Sequence, residues 1–227
     1  MKTRLWRIGV LLTLLSVSSY VVTSESFAAG RGQSLLDLPV GNLSLEEANV
    51  PLLLSRIAYK YDVPIGVEVS RDDDLLNGTK VILQMNSGTL RDALDAVISQ
   101  NPLYTWNMTD DVINVVPRAL SRDLFLKALL ETRFQNFSIE RGEPRIHIRE
   151  SLTTRPELRR LLKASGVRAV NETFISRDSR PLDRDFSLDV SNLTVRTILN
   201  RVIKDSKARY WIVNRYGKNR RYLLLNL

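Results

Sequence analysis

The sequence predicts an α+β fold. Two small duplicated modules are expected, each of βαβ-type units with helices packed on a mixed three- to five-stranded sheet, joined by a linker helix. Three observations lead there. The apolar period within residues 81–116 changes from two to that of a helix and back. The same order of features returns 105 residues later. Weaker strand-then-helix copies precede both stretches, again about 105 residues apart.

Residues 81–116 set the pattern. Val81, Leu83 and Met85 alternate with polar residues, which gives a strand one apolar face. Leu90, Ala93, Leu94, Val97 and Ile98 then fall on one stripe of a helix. Thr89 stands at the N-cap position with Asp92 three residues on, an imperfect capping box. Asn101-Pro102 ends the helix, because proline cannot continue it. Residues 104–108 and 112–116 are aromatic and β-branched runs joined by Thr109-Asp110-Asp111, a hairpin signal.

A shift of 105 residues lays 186–196 on 81–91 without a gap. Thr194 then matches Thr89, Arg196 matches Arg91 and Leu199 matches Leu94. The helical stripe recurs as Val195, Ile198, Leu199, Val202 and Ile203, and Trp211 falls on Trp106. Strand, cap, stripe and tryptophan in one register argue for a repeated module. Weaker copies of the strand-then-helix half precede each. Residues 42–51 lead into a helical run over 51–61, and residues 145–154 lead into one over 155–165.

The strand, the Asn/Ser turn, the Thr-apolar-Arg helix start and the tryptophan hairpin resemble the secretin/TonB-receptor short N-terminal (STN) domain. The resemblance covers 43–116 and, less closely, 146–225. It implies periplasmic modules that bind other proteins. Here they are expected to work without the outer-membrane barrel or secretin ring that such modules usually precede.

The rest of the chain is read around these modules. Residues 1–28 have the form of a signal peptide: Lys2, Arg4 and Arg7, then an apolar run, then Ser26-Phe27-Ala28 for cleavage after Ala28. That run is shorter than the ~20 residues a membrane-spanning helix needs. An uncleaved N-terminal anchor is the other reading. Residues 29–41 are expected to be a flexible lead-in, 42–117 the first module, 118–135 the linker helix and 136–227 the second module. Val170, Phe174 and Ile175 are expected in one strand.

Composition removes several kinds of chemistry. There is no cysteine, so disulfides, thiol nucleophiles and a lipoprotein anchor are excluded. The single histidine, His147, is read as a mid-strand residue with no second His to complete a zinc site. Asp72-Asp73-Asp74 lacks the spacing of a calcium loop and reads as a solvated turn. Trp106 and Trp211 could stack on a sugar or a base, but their matching positions favour packing. No cofactor, metal site, small-molecule substrate or enzyme activity is expected.

Charge gives the candidate functional surface. Residues 29–117 hold six Lys and Arg against twelve Asp and Glu, whereas 118–227 hold twenty-four against twelve. The second module therefore offers a basic surface to an anionic partner: Arg159, Arg160, Lys163, Arg201, Lys204, Lys207, Arg209, Arg215, Lys218, Arg220 and Arg221. The expected role is an exported, non-enzymatic protein-interaction module of the bacterial cell envelope, tied to secretion or transport assemblies. Binding of anionic lipid or nucleic acid through the second module is the alternative. Head-to-tail self-association of acidic and basic modules is a third arrangement.

Overall fold

The computed structural model describes residues 34–73, 79–170 and 185–227. The expected signal peptide, Asp74 of the aspartate run and the strand positions Phe174 and Ile175 lie outside the described residues. The fold is α+β, with helices against one six-stranded mixed sheet and two separate two-stranded ribbons.

The first half follows the predicted periods closely. Its elements are β1 (Leu43–Glu47), α1 (Val50–Tyr61), β2 (Ile65–Glu68), β3 (Val81–Met85), α2 (Leu90–Ser99), β4 (Tyr104–Thr109) and β5 (Val112–Pro117). Asn49 caps α1 by accepting from the Leu52 N–H at 3.0 Å, and Asp62 closes the helix in the left-handed region at φ 55°. The box at α2 is complete. Thr89 Oγ1 accepts from the Asp92 N–H at 3.3 Å, and Asp92 Oδ2 accepts from the Thr89 N–H at 2.8 Å. These bonds, the backbone one first, hold the Asp92 carboxyl below its ordinary range. Thr89→Ala should therefore lower stability by about 1 kcal/mol in chemical denaturation, and no loss would show the cap to be idle. Residues 34–41 are not the flexible lead-in expected. Leu36 and Val40 are buried, and Val40 donates to the Gly88 carbonyl at 2.8 Å.

A helix α3 (Leu124–Glu131) follows, and then β6 (Arg133–Ile139), α4 (Arg145–Thr154), α5 (Pro156–Ala164), β7 (Arg168–Ala169), β8 (Leu188–Thr194), α6 (Val195–Asp205), β9 (Tyr210–Tyr216) and β10 (Tyr222–Asn226). Two expectations change. The second half begins with β6, inside the span assigned to the linker. His147 lies on helix α4 instead of a strand. The alternation of Ile146 and Ile148 imitates a strand, but only Ile148 is buried, with Leu152 one turn on, and Ile146 is 43% exposed. Burial at a helical spacing decided the local structure.

Both halves use the same pairings. β1 is antiparallel to β3, and β6 to β8. In the large sheet, β4 is antiparallel to β5, which is parallel to β2; β9 is antiparallel to β10, which is parallel to β7. The halves meet where β2 pairs in parallel with β9, giving the order β4-β5-β2-β9-β10-β7. The sheet exceeds five strands because both halves share it.

Corresponding strands run in opposite directions, and the helices lie on opposite faces. Ile65 and Val67 join α1 and α2 in one core, with Tyr210, Ile212 and Leu224 from the second half. Trp211, Val213, Leu223 and Leu225 join α3, α4, α5 and α6 in the other, with Val112 from the first. A half-turn about a line across the strands, with a shift of three strands (about 14 Å), relates the two sets.

Candidate binding surfaces

Two of the singled-out basic residues meet carboxylates of the first half, and a third meets one of its own half. Arg209 Nε meets Asp62 Oδ1 at 3.0 Å, and its second nitrogen reaches Asp62 Oδ2 at 3.3 Å. The same guanidinium donates to the carbonyls of Ile203 and Ser206. Lys204 Nζ donates to Asp111 Oδ2 and to the Asp110 carbonyl, both at 2.9 Å. Arg215 Nε lies 3.1 Å from Asp123 Oδ2, with its guanidinium 4.9 Å over the Phe125 ring. Three of the basic residues singled out in the sequence therefore bind carboxylates of this same chain.

The others divide into groups. Arg159, Arg160 and Lys163 are exposed on α5, where Arg160 Nε also donates to the Pro156 carbonyl at 3.2 Å. Arg201 and Lys207 are exposed on and after α6. Lys218 and Arg221 are exposed in the β9–β10 turn, and Arg220 donates from there to the Arg215 carbonyl at 3.3 Å. Arg168 on β7 adds to this end, opposite Tyr222, which is 41% exposed and tilted against Tyr216 at 5.8 Å.

Charge counting missed a buried pair beneath the junction. Glu68, fully buried at the end of β2, meets Arg196 of α6 at 3.1 Å. Its other oxygen, Oε1, has no hydrogen-bond partner among the described residues. Burial raises its carboxyl above the ordinary value, while Arg196 pulls it back. Only the match of Arg196 to Arg91 hinted at a role for that arginine.

The tryptophans have matching partners but unlike surroundings. Trp106 Nε1 donates to Asp95 Oδ1, and Trp211 Nε1 to Asn200 Oδ1, both at 2.8 Å. Asp95 and Asn200 are themselves 105 residues apart. Trp211 is wholly buried because β9 lies inside the sheet. Trp106 lies on the edge strand, half-buried, with the Arg91 guanidinium 5.7 Å over its ring.

Strand β4 is the longer free edge. The turn Asp110-Asp111 has φ values of 55° and 60°, as in a two-residue hairpin of type I′. Its register turns the N–H and C=O of Thr105, Asn107 and Thr109 toward β5. Those of Trp106 and Met108 face outward and have no partner among the described residues. Met108 is 40% exposed.

Neither outer edge repeats the chemistry of the junction. Tyr210 and Ile212 are buried there, and the Tyr210 hydroxyl donates to the Pro51 carbonyl at 2.8 Å. On β4 the corresponding residues are Thr105 and Asn107. Helices α1 and α5 end alike, with Val63 N–H bonded to the Ala58 carbonyl and Val167 N–H to that of Leu162. In that alignment the buried Pro51, Ser55 and Tyr59 of α1 become Arg155, just before α5, and Arg159 and Lys163 of α5.

The aspartate run is not the solvated turn expected: Asp72 is exposed in a turn, but Asp73 is buried. Asp72 lies 3.5 Å from Arg71, and Asp73 accepts from the Tyr104 hydroxyl at 2.7 Å. No metal-holding cluster of His, Asp and Glu occurs among the described residues. No helix among them is long and apolar enough to cross a membrane. No protein-family model matches this chain, and no curated protein matches it significantly.

Proposed function

We propose that this chain is an exported, non-enzymatic interaction protein of the bacterial cell envelope, built from two STN-like units, that takes up a strand of its partner along β4. The carrying observation is the outward backbone of Trp106 and Met108 on an edge strand six residues long. Main-chain hydrogen bonds supply affinity in strand addition, and flanking side chains supply selectivity. The first half already accepts one added strand, β9, along its other edge. The signal-like N-terminus and the STN resemblance support the envelope assignment and a partner from secretion or transport machinery. Polar Thr105 and Asn107, in place of Tyr210 and Ile212, favour a partner other than a second copy.

Met108→Pro tests this reading. Proline removes the outward N–H and leaves the hairpin ladder to β5 intact. Crosslinking in envelope fractions should recover a partner with the unmodified chain and lose it with the variant, at unchanged thermal stability. Recovery of the same partner by both chains, or of none by either, would reject the strand-addition reading.

A second reading rests on the exposed Arg159, Arg160, Lys163, Lys218 and Arg221. Through these the second half would bind anionic lipid or nucleic acid. Such binding should weaken steeply with salt. Absence of vesicle or oligonucleotide binding at low salt would remove it.

A further inference from the structure

The two halves differ most between their first strand and first long helix. In the first half only Ala48 and Asn49 separate β1 from α1, whereas in the second half helix α4 stands between β6 and α5. That extra helix, the end of β6, the turn over residues 140–144 and the start of α5 line an open cleft of about 700 Å³. Its lining includes His147 and Ser151, one turn apart on α4, and Arg155 at the bend into α5.

Arg155 is held without a carboxylate. Its guanidinium lies 6.0 Å from the Phe134 ring centre and 5.5 Å from that of Phe137. No acidic side chain pairs with it among the described residues, in contrast to Arg209, Arg215 and Arg196. An arginine already held beside two aromatic rings loses less side-chain freedom when its donors bind. A planar fork of N–H donors fits two oxygens of one anion. The imidazole of His147 and the hydroxyl of Ser151 line the same cleft and add donors. Pro156 also lines it, placing the cleft at the start of α5, which carries no side-chain cap.

We infer that this cleft is a binding site for a small oxyanion, either a phosphate group or a carboxylate, received by Arg155 with His147 and Ser151. The lining also holds the carboxylates of Glu140 and Glu143; neither pairs with Arg155, and Glu143 accepts from the Glu140 N–H at 3.1 Å. Arg141, the other arginine of the lining, is already matched by the Asp185 carboxylate 3.7 Å away. This site is independent of the β4 edge, so Met108→Pro should leave it unchanged.

The single histidine makes the test direct, because the ring protons of His147 give one identifiable set of NMR signals. The full chain would be titrated with inorganic phosphate and, separately, with N-acetylglycine as a peptide-carboxylate probe. A saturable shift of the His147 signals at about millimolar probe supports the site, and the tighter probe names the source of the anion. Arg155→Gln should weaken binding about tenfold or more, and Arg155→Lys, which keeps the charge but loses the fork, by a smaller factor. Thermal melts confirm that both variants fold. No saturable shift with either probe, or equal affinity in Arg155→Gln, would overturn the inference, as would saturation that is the same for chloride.

Discussion

Trp211→Ala is expected to destabilise the chain by about 3–5 kcal/mol, against about 1 kcal/mol for Trp106→Ala. Sequence alone would predict equal effects, since the two residues match in register. The difference comes from the added neighbour. Trp211 is wholly buried because β2 of the first half lies beside it, with Gly66 directly opposite. A Cβ on Gly66 would stand 2.2 Å from Trp211 Cε2 and 2.4 Å from Cζ2 and Nε1. Gly66 is thus small because an indole occupies the space above it. Gly66→Ala should therefore cost about 1–3 kcal/mol by overpacking, and much less in a Trp211→Ala background. Chemical denaturation of the four proteins gives the coupling directly. Additive effects would mean that the indole does not fill the space over Gly66.

Local pattern carried most of the element assignments. The stripes of α2 and α6 and the alternation of β3 are set by neighbours within a few residues, so they can be read along the chain. Elements whose form depends on distant burial could not. Ile146 and Ile148 alternate as in a strand, yet the second core selects Ile148 and Leu152 on a helix. The shared sheet was equally hidden. Ile65 and Tyr210 are 145 positions apart, and nothing in either segment specifies a parallel partner. The consequence for the candidate site is concrete. Arg209, Lys204 and Arg215 looked like an outward basic face, but the pairing of β2 with β9 brings Asp62 and Asp111 of the first half to Arg209 and Lys204, and Asp123, just before α3, meets Arg215. Arg155 escaped notice because its distinction is the two rings beneath it and the absence of an acidic partner.

The buried pair at the junction gives the second large effect. Arg196→Met should cost about 3 kcal/mol near neutral pH, because it strands the Glu68 carboxylate away from water. The figure sits low in the range for broken buried pairs because the Arg196 side chain is 23% exposed, whereas that of Glu68 is 0% exposed. The pH dependence follows from the causes acting on Glu68. Burial is the largest and raises its carboxyl above 4.5; the charge and hydrogen bond of Arg196 lower it. A carboxyl raised in the folded state holds its proton more tightly folded than unfolded. Its contribution to stability is complete below the unfolded value and is lost as pH rises through the folded one. Removing Arg196 takes away the opposing influence, so the loss becomes larger and extends to higher pH. The cost of Arg196→Met should therefore grow as pH rises above the ordinary carboxyl value. Adding Glu68→Gln should flatten that rise, since a neutral amide has no proton to lose, and should recover part of the stability near neutral pH. A cost that stays constant with pH, or a double variant less stable than Arg196→Met throughout, would show that Glu68 does not carry its charge in the folded chain.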